Sequence, residues 1–584
     1  MSSRQLEHFP NLVTMFLTRA EAKGDAPFLW AKGDGRWQSV SWREAARQVA
    51  ALADGLRGLG LQPGDRVVLV SENRPEWLIA DLAIMAAGCI TVPTYTTNTT
   101  RDHSHILNNS GARAAIVSTQ KLAKALVPAV LLGSDCHHVI GIDEIRTGQA
   151  ADNISFHHWG DLVAAGPDMA ALAERSATMQ RTDLACIIYT SGTGGAPRGV
   201  QLHHGAMLHN IAAATAVISE DFEWEDEVFL SFLPASHAYE HTFGQHFPIG
   251  LGAQIYFAES LEKLAANIEE TRPTLMIVVP RLFEMLRART LKLVEKGGAA
   301  SAYLLKRALE IGTREHQGER RVSDAVMSAI LTLTLKRKMR AKFGGRVKAL
   351  VSGGAPLNPE IGIFFQSLGI TLLQGYGQTE SGPLVSVNRP SAGIRMDSVG
   401  PPVVGNEVRF ADDGEILVRG ENVMHAYWRN AEETERVLQD GWLHTGDVGH
   451  FDEAGRIVIT DRKKDLIVND KGDNVSPQRV EGMLTLQPEI AQAMVYGDRR
   501  PYLVAVLVPD PELVDQPDMH QRLQKAVDRV NAEVSVIEKV RRFIIADEAF
   551  TIQNEQLTPS MKIRRHVIKQ RYGERLDALY KRQA

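Results

Sequence analysis

Glycines, hydroxyl groups and one cation are concentrated in the segment Tyr189–Gly199. The segment follows the apolar run Leu184–Ile188, so we expect a strand to lead into a flexible loop. Consecutive backbone N–H groups of such a loop can surround a phosphate, and glycines let the phosphate approach closely. Because Gly-Lys-Ser/Thr and G-x-G-x-x-G are both missing, neither a Walker A loop nor a dinucleotide loop is predicted. The candidate phosphate-binding residues are Thr190, Ser191, Gly192, Thr193, Gly194, Gly195 and Arg198.

Six more segments follow this loop along the chain: Leu233–His237, Ser352–Pro356, Gln374–Glu380, Gly441–Asp447, Asp461–Asp465 and Leu557–Arg565. With the loop, their sequences and order resemble the superfamily of acyl-CoA synthetases, adenylation domains of peptide synthetases and beetle luciferases. The family's phosphate loop reads Y-T-S-G-T-T-G-x-P-K-G. This chain departs from it at Gly194, where threonine is usual, and at Arg198, where lysine is usual. Arginine keeps the charge but not the compact ammonium geometry.

The resemblance implies an ATP site that draws on several of these segments. It places the small residues of the turn 352–356 against adenine, stacks Tyr376 near the base and puts Thr379 at the α-phosphate. It also implies that Asp447 and Arg462 face the ribose. The carboxylate of Asp447 can accept hydrogen bonds from both vicinal hydroxyls. The nucleotide-binding residues that it implies beyond the loop are Gly354, Ala355, Pro356, Gln374, Gly375, Tyr376, Gly377, Thr379, Asp447 and Arg462.

Catalytic roles are implied by the same resemblance for Lys562, Glu380 and Thr190. Glu380 and Thr190 are expected to hold Mg²⁺, which prefers oxygen ligands and bridges phosphates. Lys464 occupies the position of the hinge between two domains, and His237 borders the acyl and nucleotide pockets. A single histidine is often structural, so a direct role and a structural role stay open for His237.

The implied reaction activates a carboxylic acid with ATP. Attack of the carboxylate on the α-phosphate gives acyl-AMP and pyrophosphate, and a thiolate then displaces AMP. The first step brings an anion to a polyanion, so preorganised positive charge lowers its barrier. The resemblance implies ATP, Mg²⁺ and coenzyme A as the cofactors and co-substrates, and a C-terminal domain that rotates about Lys464 between the two steps.

Strand and helix patterns alternate along most of the chain, which predicts an α/β fold with parallel sheets. We expect strands at Arg66–Val70 and Ile90–Tyr95, and a helix at Glu76–Gly88 between them. A helical insertion of about residues 285–345 interrupts the alternation. Antiparallel, barrel-like β structure, including a strand at Glu415–Arg419, precedes a boundary near Asp461–Asp465. The predicted units are therefore a large N-terminal AMP-binding domain, 1–461, and a small mobile α+β domain, 462–584.

The composition is that of an ordinary globular protein, with 44% hydrophobic and 23% charged residues among 584. The net charge of -5 gives no general reason to expect nucleic-acid binding. Met1–Lys23 has no signal-peptide pattern, and no apolar run reaches the roughly 20 residues of a membrane helix. The three cysteines lack metal or CxxC spacing and are expected to be reduced core thiols of a cytoplasmic protein.

The strings Ser71–Trp77 and Val279–Glu284 resemble the long-chain and very-long-chain fatty-acid branch of the family, as does the helical insertion. The insertion is basic, with fourteen Lys or Arg against five Asp or Glu between Leu286 and Gly345. This charge suggests a peripheral contact with an anionic membrane at its inner face, and a solvated helical pair is the alternative. The sequence leaves the acyl chain length open, and it does not separate a monomer from a homodimer.

Other functions also stay open at this point. Gly472-Asp473-Asn474 departs from the usual pattern of the C-terminal domain, so a carrier protein is an alternative acceptor to coenzyme A. The acid can be aromatic or of another class. A non-catalytic nucleotide- or lipid-binding protein is a third alternative, but Glu380, Asp447 and Lys562 together argue against it.

Overall fold

Two large sheets, each flanked by helices, form the N-terminal part of the protein. The structure is a computed structural model that describes residues 5–146, 154–164, 166–190, 197–319, 321–471, 473–558 and 561–581. Strands and helices alternate through both sheets, so the predicted α/β class is confirmed. No helix in these ranges is both long and apolar enough to cross a bilayer.

The first sheet is parallel except at one edge, where the strand before the glycine-rich loop pairs antiparallel with the strand after it. Its central strand, Arg66–Val70, is buried along almost its whole length, as expected for a parallel sheet covered on both faces. In spatial order its described strands are Ser155–His158, His138–Gly141, Ala114–Val117, Arg66–Val70, Ile90–Thr94, Leu184–Thr190 and Arg198–His203.

The second sheet has a parallel centre and an antiparallel strand at each edge. Its parallel strands deliver the ends of Ala349–Ser352 and Leu372–Tyr376 to the same side, which brings two of the family-like motifs together. In spatial order its described strands are Ser386–Val387, Leu372–Tyr376, Ala349–Ser352, Leu275–Val278, Val228–Ser231, Gln254–Phe257, Pro27–Gly33 and Arg36–Ser41.

The helix Pro75–Ala86 is buried along nearly its whole length within the largest hydrophobic core. The sequence predicted it as Glu76–Gly88; proline supplies its first turn, and Gly88, at φ 82, follows its end. The other described helices of the N-terminal part, outside the insertion, are Leu12–Lys23, Trp42–Gly58, Thr100–Ser110, Gln120–Leu131, Trp159–Val163, Met169–Thr178, His204–Asp221, Ala238–Glu240, His241–His246, Phe247–Leu251, Leu264–Thr271, Pro359–Ser367, Thr379–Ser381, Pro390–Ala392 and Ala431–Val437.

The insertion that the sequence placed at about 285–345 is helical. Its helices pack on the second sheet through Phe283, Leu305 and Phe343, which share a core with Phe365. The described helices of the insertion are Pro280–Lys296, Gly298–His316, Asp324–Leu331, Thr332–Lys336 and Arg337–Lys342.

An antiparallel sheet precedes the C-terminal unit, as predicted from the strand at Glu415–Arg419. Its described strands are Glu407–Phe410, Glu415–Arg419, Leu438–Gln439, Trp442–Phe451 and Ile457–Arg462. The C-terminal unit has its own hydrophobic clusters on the two faces of a three-stranded sheet. Its described elements are Ile467–Val468, Asn474–Val475, Pro477–Thr485, Ile490–Tyr496, Leu503–Pro509, Pro511–Leu513, Met519–Glu533, Val536–Glu538, Val540–Ile545 and Arg565–Ala578.

Candidate active site

A cavity of about 2360 Å³ is lined by both the N-terminal part and the C-terminal unit. One portion of its wall is polar and collects most of the motifs found in the sequence, including Glu380, Asp447 and Lys562. Ser191, Gly192, Thr193, Gly194 and Gly195 lie outside the described residues, as do Gly472 and the neighbours Pro559 and Ser560 of the lysine.

Asp447 and Arg462 are brought together by strand register. They face each other on the antiparallel strands Trp442–Phe451 and Ile457–Arg462. Arg462 Nε donates to Asp447 Oδ1 at 2.6 Å, and the Tyr376 hydroxyl donates to Oδ2 at 2.8 Å. Burial, reinforced by the charge of Asp447, raises the pKa of Tyr376 well above 10, so the hydroxyl remains a neutral donor. The three side chains form one prearranged polar group on the cavity wall.

Arg198 follows the glycine-rich loop and is held by two side chains from residues more than two hundred positions later. Its guanidinium pairs with Glu433 and lies 4.9 Å above the Tyr427 ring. Tyr427 in turn donates its hydroxyl to Glu380 Oε1 at 2.7 Å. Thr190 is the strand partner of Arg198, so contacts connect the strands on either side of the glycine-rich segment with Glu380.

The oxygen atoms near this loop fit a magnesium ion chemically. Thr190 offers a hydroxyl and Glu380 a carboxylate, both line the cavity, and hard cations prefer such ligands. When bound there, Mg²⁺ would supply positive charge that offsets the negative charge of phosphate oxygens. The pairing of these two residues as metal ligands remains a prediction.

The turn after Ala349–Ser352 leaves room for a flat group. A Cβ on Gly353 would lie 2.8 Å from the Tyr239 ring, whereas nothing lies within 4 Å of a Cβ placed on Gly354. Gly354 has φ +79, a conformation that glycine adopts without strain. The turn therefore packs against the Tyr239 ring on one side, and its other side borders the cavity. Ala355 and Pro356 are exposed along the cavity.

The segment 374–380 contributes both backbone and side chains. Gln374 lines the cavity, yet its side-chain amide donates to the Met396 carbonyl at 2.8 Å, so this side chain fixes a neighbouring loop. A Cβ on Gly377 would lie 1.9 Å from the Pro383 carbonyl oxygen, which explains a glycine there. Gly375 and Thr379 also line the cavity wall.

His237 begins the short helix Ala238–Glu240, where its Nδ1 accepts the Tyr239 N–H at 3.2 Å. Burial, followed by the nearby charge of Lys562, lowers the pKa of His237 to about 3. The ring is therefore neutral near pH 7, and its proton resides on Nε2. A neutral ring of this kind can donate a hydrogen bond to an oxygen of a bound carboxylate. It is less suited to accepting a proton, because its pKa is low.

Lys562 lies in the C-terminal unit, next to Ile563, which forms a β-bridge with Leu557. The Thr558 N–H donates to the Lys562 carbonyl at 2.8 Å, and the Lys562 N–H donates to Thr558 Oγ1 at 3.0 Å. Lys562 lines the cavity and remains accessible to solvent there. Burial, followed by the charge of Arg462, lowers the pKa of Lys562 to about 8. Lys562 thus lies among the polar residues of the N-terminal part.

Lys464 lies in the turn between the strands Ile457–Arg462 and Ile467–Val468. The preceding residue, Lys463, is tied to the N-terminal part by Asp413 at 2.5 Å and Glu415 at 2.7 Å. Lys464 is therefore the first residue after the one that these ion pairs hold to the N-terminal part. This position is compatible with the predicted hinge, which remains a prediction.

A second portion of the cavity wall is apolar and could not be identified from motifs. Its side chains come from five separate elements of the N-terminal part, so no short sequence pattern marks them. The main apolar lining residues are Val217, Ile218, Phe229, Phe243, Phe247 and Ile277. A long apolar group could lie there with its polar end at the site of Glu380 and Lys562.

A buried polar cluster lies behind this apolar wall. His241 Nε2 and His246 Nε2 each lie 2.8 Å from Asp81 Oδ2, and all three side chains are inaccessible to solvent. Their atom types would suit a metal ion, but these separations are those of hydrogen bonds. The cluster fixes the π-helix His241–His246, a kind of helix that is frequent at functional sites. That helix and the one after it carry Phe243 and Phe247.

Glu433→Gln is expected to lower the KM for ATP about threefold to fivefold. Glu433 neutralises Arg198, so removing its charge leaves the arginine free to attract a triphosphate; partly exposed pairs contribute about 1 kcal/mol. Initial rates at varied ATP would measure the change. Glu435→Gln, an exposed position on the same helix, is the control, and a raised KM would contradict this prediction.

Comparison with known proteins finds matches along most of the chain. The model of the AMP-binding enzyme family matches residues 16–428, and that of the AMP-binding enzyme C-terminal domain matches 464–584. The chain is 34% identical to the long-chain-fatty-acid–CoA ligase FadD15 of Mycobacterium bovis, over 94% of both sequences. It is 28% identical to long chain acyl-CoA synthetase 1 of Arabidopsis thaliana, over 100% of this chain and 92% of that one.

Among solved structures, the adenylation domain of a carboxylate reductase from Mycobacterium chelonae superposes with a TM-score of 0.80. The identity is 24%, and the match covers 98% of this chain and 92% of that domain. At this identity the likeness shows the fold alone. The family models and the relatives of higher identity show more: this chain belongs to the AMP-binding enzyme family.

Proposed function

We propose that the protein activates a long-chain fatty acid with ATP to acyl-AMP and then forms the coenzyme A thioester, releasing AMP and pyrophosphate. The observation that carries the proposal is the continuity of one cavity. Its apolar portion, lined by Phe243 and Phe247, leads to the polar portion that holds Asp447, Glu380 and Lys562. The names of the relatives, long-chain-fatty-acid–CoA ligase and long chain acyl-CoA synthetase, support the same chemistry.

Each residue has a proposed part in the first half-reaction. Asp447, oriented by Arg462 and Tyr376, accepts hydrogen bonds from the ribose hydroxyls. The neutral His237 donates to the carboxylate of the fatty acid. Lys562 neutralises charge that develops on the phosphate oxygens as pyrophosphate leaves.

We propose a division into the domains 1–461 and 462–584 with Lys464 as the hinge, and with the C-terminal unit carrying Lys562 out of the cavity before the thiol enters. The anchor of Lys463 on Asp413 and Glu415 supports this choice of hinge. A few changes of φ and ψ in one turn suffice for a large rigid-body motion. In the proposed function the protein also contacts an anionic membrane, which holds the lipid substrate.

The proposal is tested with acids of about C6 to C22 and one aromatic acid, in two assays. ATP–pyrophosphate exchange should depend on the acid and be strongest with long chains. Thioester should then form with coenzyme A. Exchange without any transfer to coenzyme A would overturn the thioester half and favour a carrier protein as the acceptor, whereas absence of exchange would overturn the whole proposal.

Val217→Phe is expected to lower thioester formation with C16 acids at least tenfold relative to C8 acids. Val217 is a buried residue of the apolar cavity wall, and a larger ring there removes volume that a long chain needs. The ratio of kcat/KM for the two acids measures the effect. Ala212→Phe, at an exposed position of the same helix, should leave the ratio unchanged. Equal loss with both acids would contradict the assignment of this wall to the acyl chain.

A further inference from the structure

The helix Asp324–Leu331 in the insertion is apolar on the side that faces solvent. Four side chains at spacings of four, four and three residues are exposed: Val326 by 73% and Ile330 by 43% on the helix, Val322 by 94% just before it, and Leu333 by 72% in the adjoining helix Thr332–Lys336. Such spacing places side chains on one side of a helix. We call these four side chains the apolar face.

The opposite side of the same helix is already used for packing. Leu331 is buried against Ala308 and Ile311 of the helix Gly298–His316, and Met327 and Leu335 pack on the same cluster. The apolar face is therefore additional to the side that stabilises the fold. A contiguous apolar surface that is exposed in addition to the packed side marks a place where a protein or a membrane binds.

Positive charge flanks the apolar face at both ends. Arg321 precedes it, and Arg337, Lys338 and Arg340 follow it, all of them exposed. Within the part of the chain that the structure describes, no carboxylate forms an ion pair with any of these four residues. The acidic residue of this helix, Asp324, is neutralised by Arg314 at 2.7 Å. The surface thus combines apolar side chains with net positive charge.

We propose that the apolar face and its flanking cations form a docking surface for an anionic lipid bilayer. The apolar side chains enter the boundary between headgroups and acyl chains, and the cations contact the headgroups, as in interfacial amphipathic helices. The inference deepens the proposed function, because a long-chain fatty acid partitions into membranes. It names the surface by which the protein reaches that substrate.

A second copy of the chain fits this surface less well than a bilayer does. In a twofold dimer the same patch meets itself, and both ends of the apolar face carry cations. Arg321 or Arg337 would then face a cation of the partner in either antiparallel or parallel packing. Like charges opposed across an interface are destabilising, whereas a bilayer with anionic headgroups complements both ends.

Vesicle flotation with the full chain tests the proposal. The protein should float with vesicles of phosphatidylcholine that contain about a quarter phosphatidylglycerol, and not with phosphatidylcholine alone. Binding should fall in roughly 0.5 M NaCl, which screens headgroup attraction. The double variant Val326→Asp/Leu333→Asp should bind at least tenfold more weakly, and Arg337→Glu/Arg340→Glu should lose the dependence on phosphatidylglycerol.

Val536→Asp is the matched control, since Val536 is 72% exposed on the C-terminal unit and should keep wild-type flotation when charged. All variants should retain wild-type ATP–pyrophosphate exchange with a water-soluble C8 acid, which shows that they are folded and separates this inference from the proposed function. Flotation of the Val326/Leu333 variant at the wild-type level would overturn the proposal. A wild-type dimer in sedimentation that dissociates in this variant, without vesicle binding by either, would overturn it in favour of a second copy.

Discussion

Lys562→Ala is expected to lower the formation of acyl-AMP at least about a hundredfold while sparing thioester formation from supplied acyl-AMP. The ammonium group lies in the cavity with Glu380, Asp447 and Arg462, where it is placed to act on the phosphates in the first half-reaction. In the proposed rotation it leaves the cavity before the second. ATP–pyrophosphate exchange measures that step, and thioester formation from synthetic acyl-AMP measures the second. Lys525→Ala, at an exposed lysine of the C-terminal unit, is the control.

The pH dependence of the two half-reactions tests the role of Lys562 independently. Because the pKa of Lys562 is lowered to about 8, its charge is present below that pH and is lost as the pH rises. Exchange by the wild-type protein should therefore decline above about pH 8. The thioester step should show no such decline, because the thiolate of coenzyme A increases with pH. Equal loss of both half-reactions in Lys562→Ala would contradict the assignment of this lysine to adenylation.

Asp447→Asn is expected to raise the KM for ATP about a hundredfold, because charge-assisted hydrogen bonds to both ribose hydroxyls contribute roughly 1.5–3 kcal/mol each. The substitution also leaves Arg462 without its carboxylate partner at 2.6 Å. Arg462 keeps a third of its side chain exposed, so screening limits the loss of unfolding free energy to about 1–2 kcal/mol. Initial rates at varied ATP and thermal unfolding measure the two effects.

Asp452→Asn separates nucleotide binding from stability. Asp452 pairs with Arg456 at 2.7 Å close to the same antiparallel sheet, away from the cavity. It should lower stability by a similar or smaller amount and leave the KM for ATP unchanged. An equal KM in the Asp447 and Asp452 variants would show that Asp447 has no direct contact with the nucleotide.

The fold class and the polar part of the site could be predicted from the sequence because their signals are local. Arg66–Val70 and Glu415–Arg419 are short β-branched runs, and the structure gives both strands the predicted bounds. Asp447 and Arg462 each belong to a recognisable motif. Their direct pairing was not predictable, since it depends on the register of two strands.

The remaining features depend on contacts between distant parts of the chain. Strand Pro27–Gly33 pairs with Gln254–Phe257 in the second sheet, and no local pattern encodes that order. The same holds for Glu433, which pairs with Arg198 although its own segment resembles an ordinary charged helix. Val217 and Phe247 are apolar residues like many others until the fold places them on one cavity wall.

The cavity shared by both units also determines what happens to the activated acid when coenzyme A is scarce. An acyl phosphate anhydride is lost by hydrolysis whenever bulk water reaches its carbonyl. In the proposed function, an acyl-AMP held while Lys562 is docked would lie in the cavity that both units line, with its apolar chain among Phe243 and Phe247. If the C-terminal unit rotates as proposed, the time that it spends docked would help to set the fraction of cleaved ATP that ends in thioester instead of free acid.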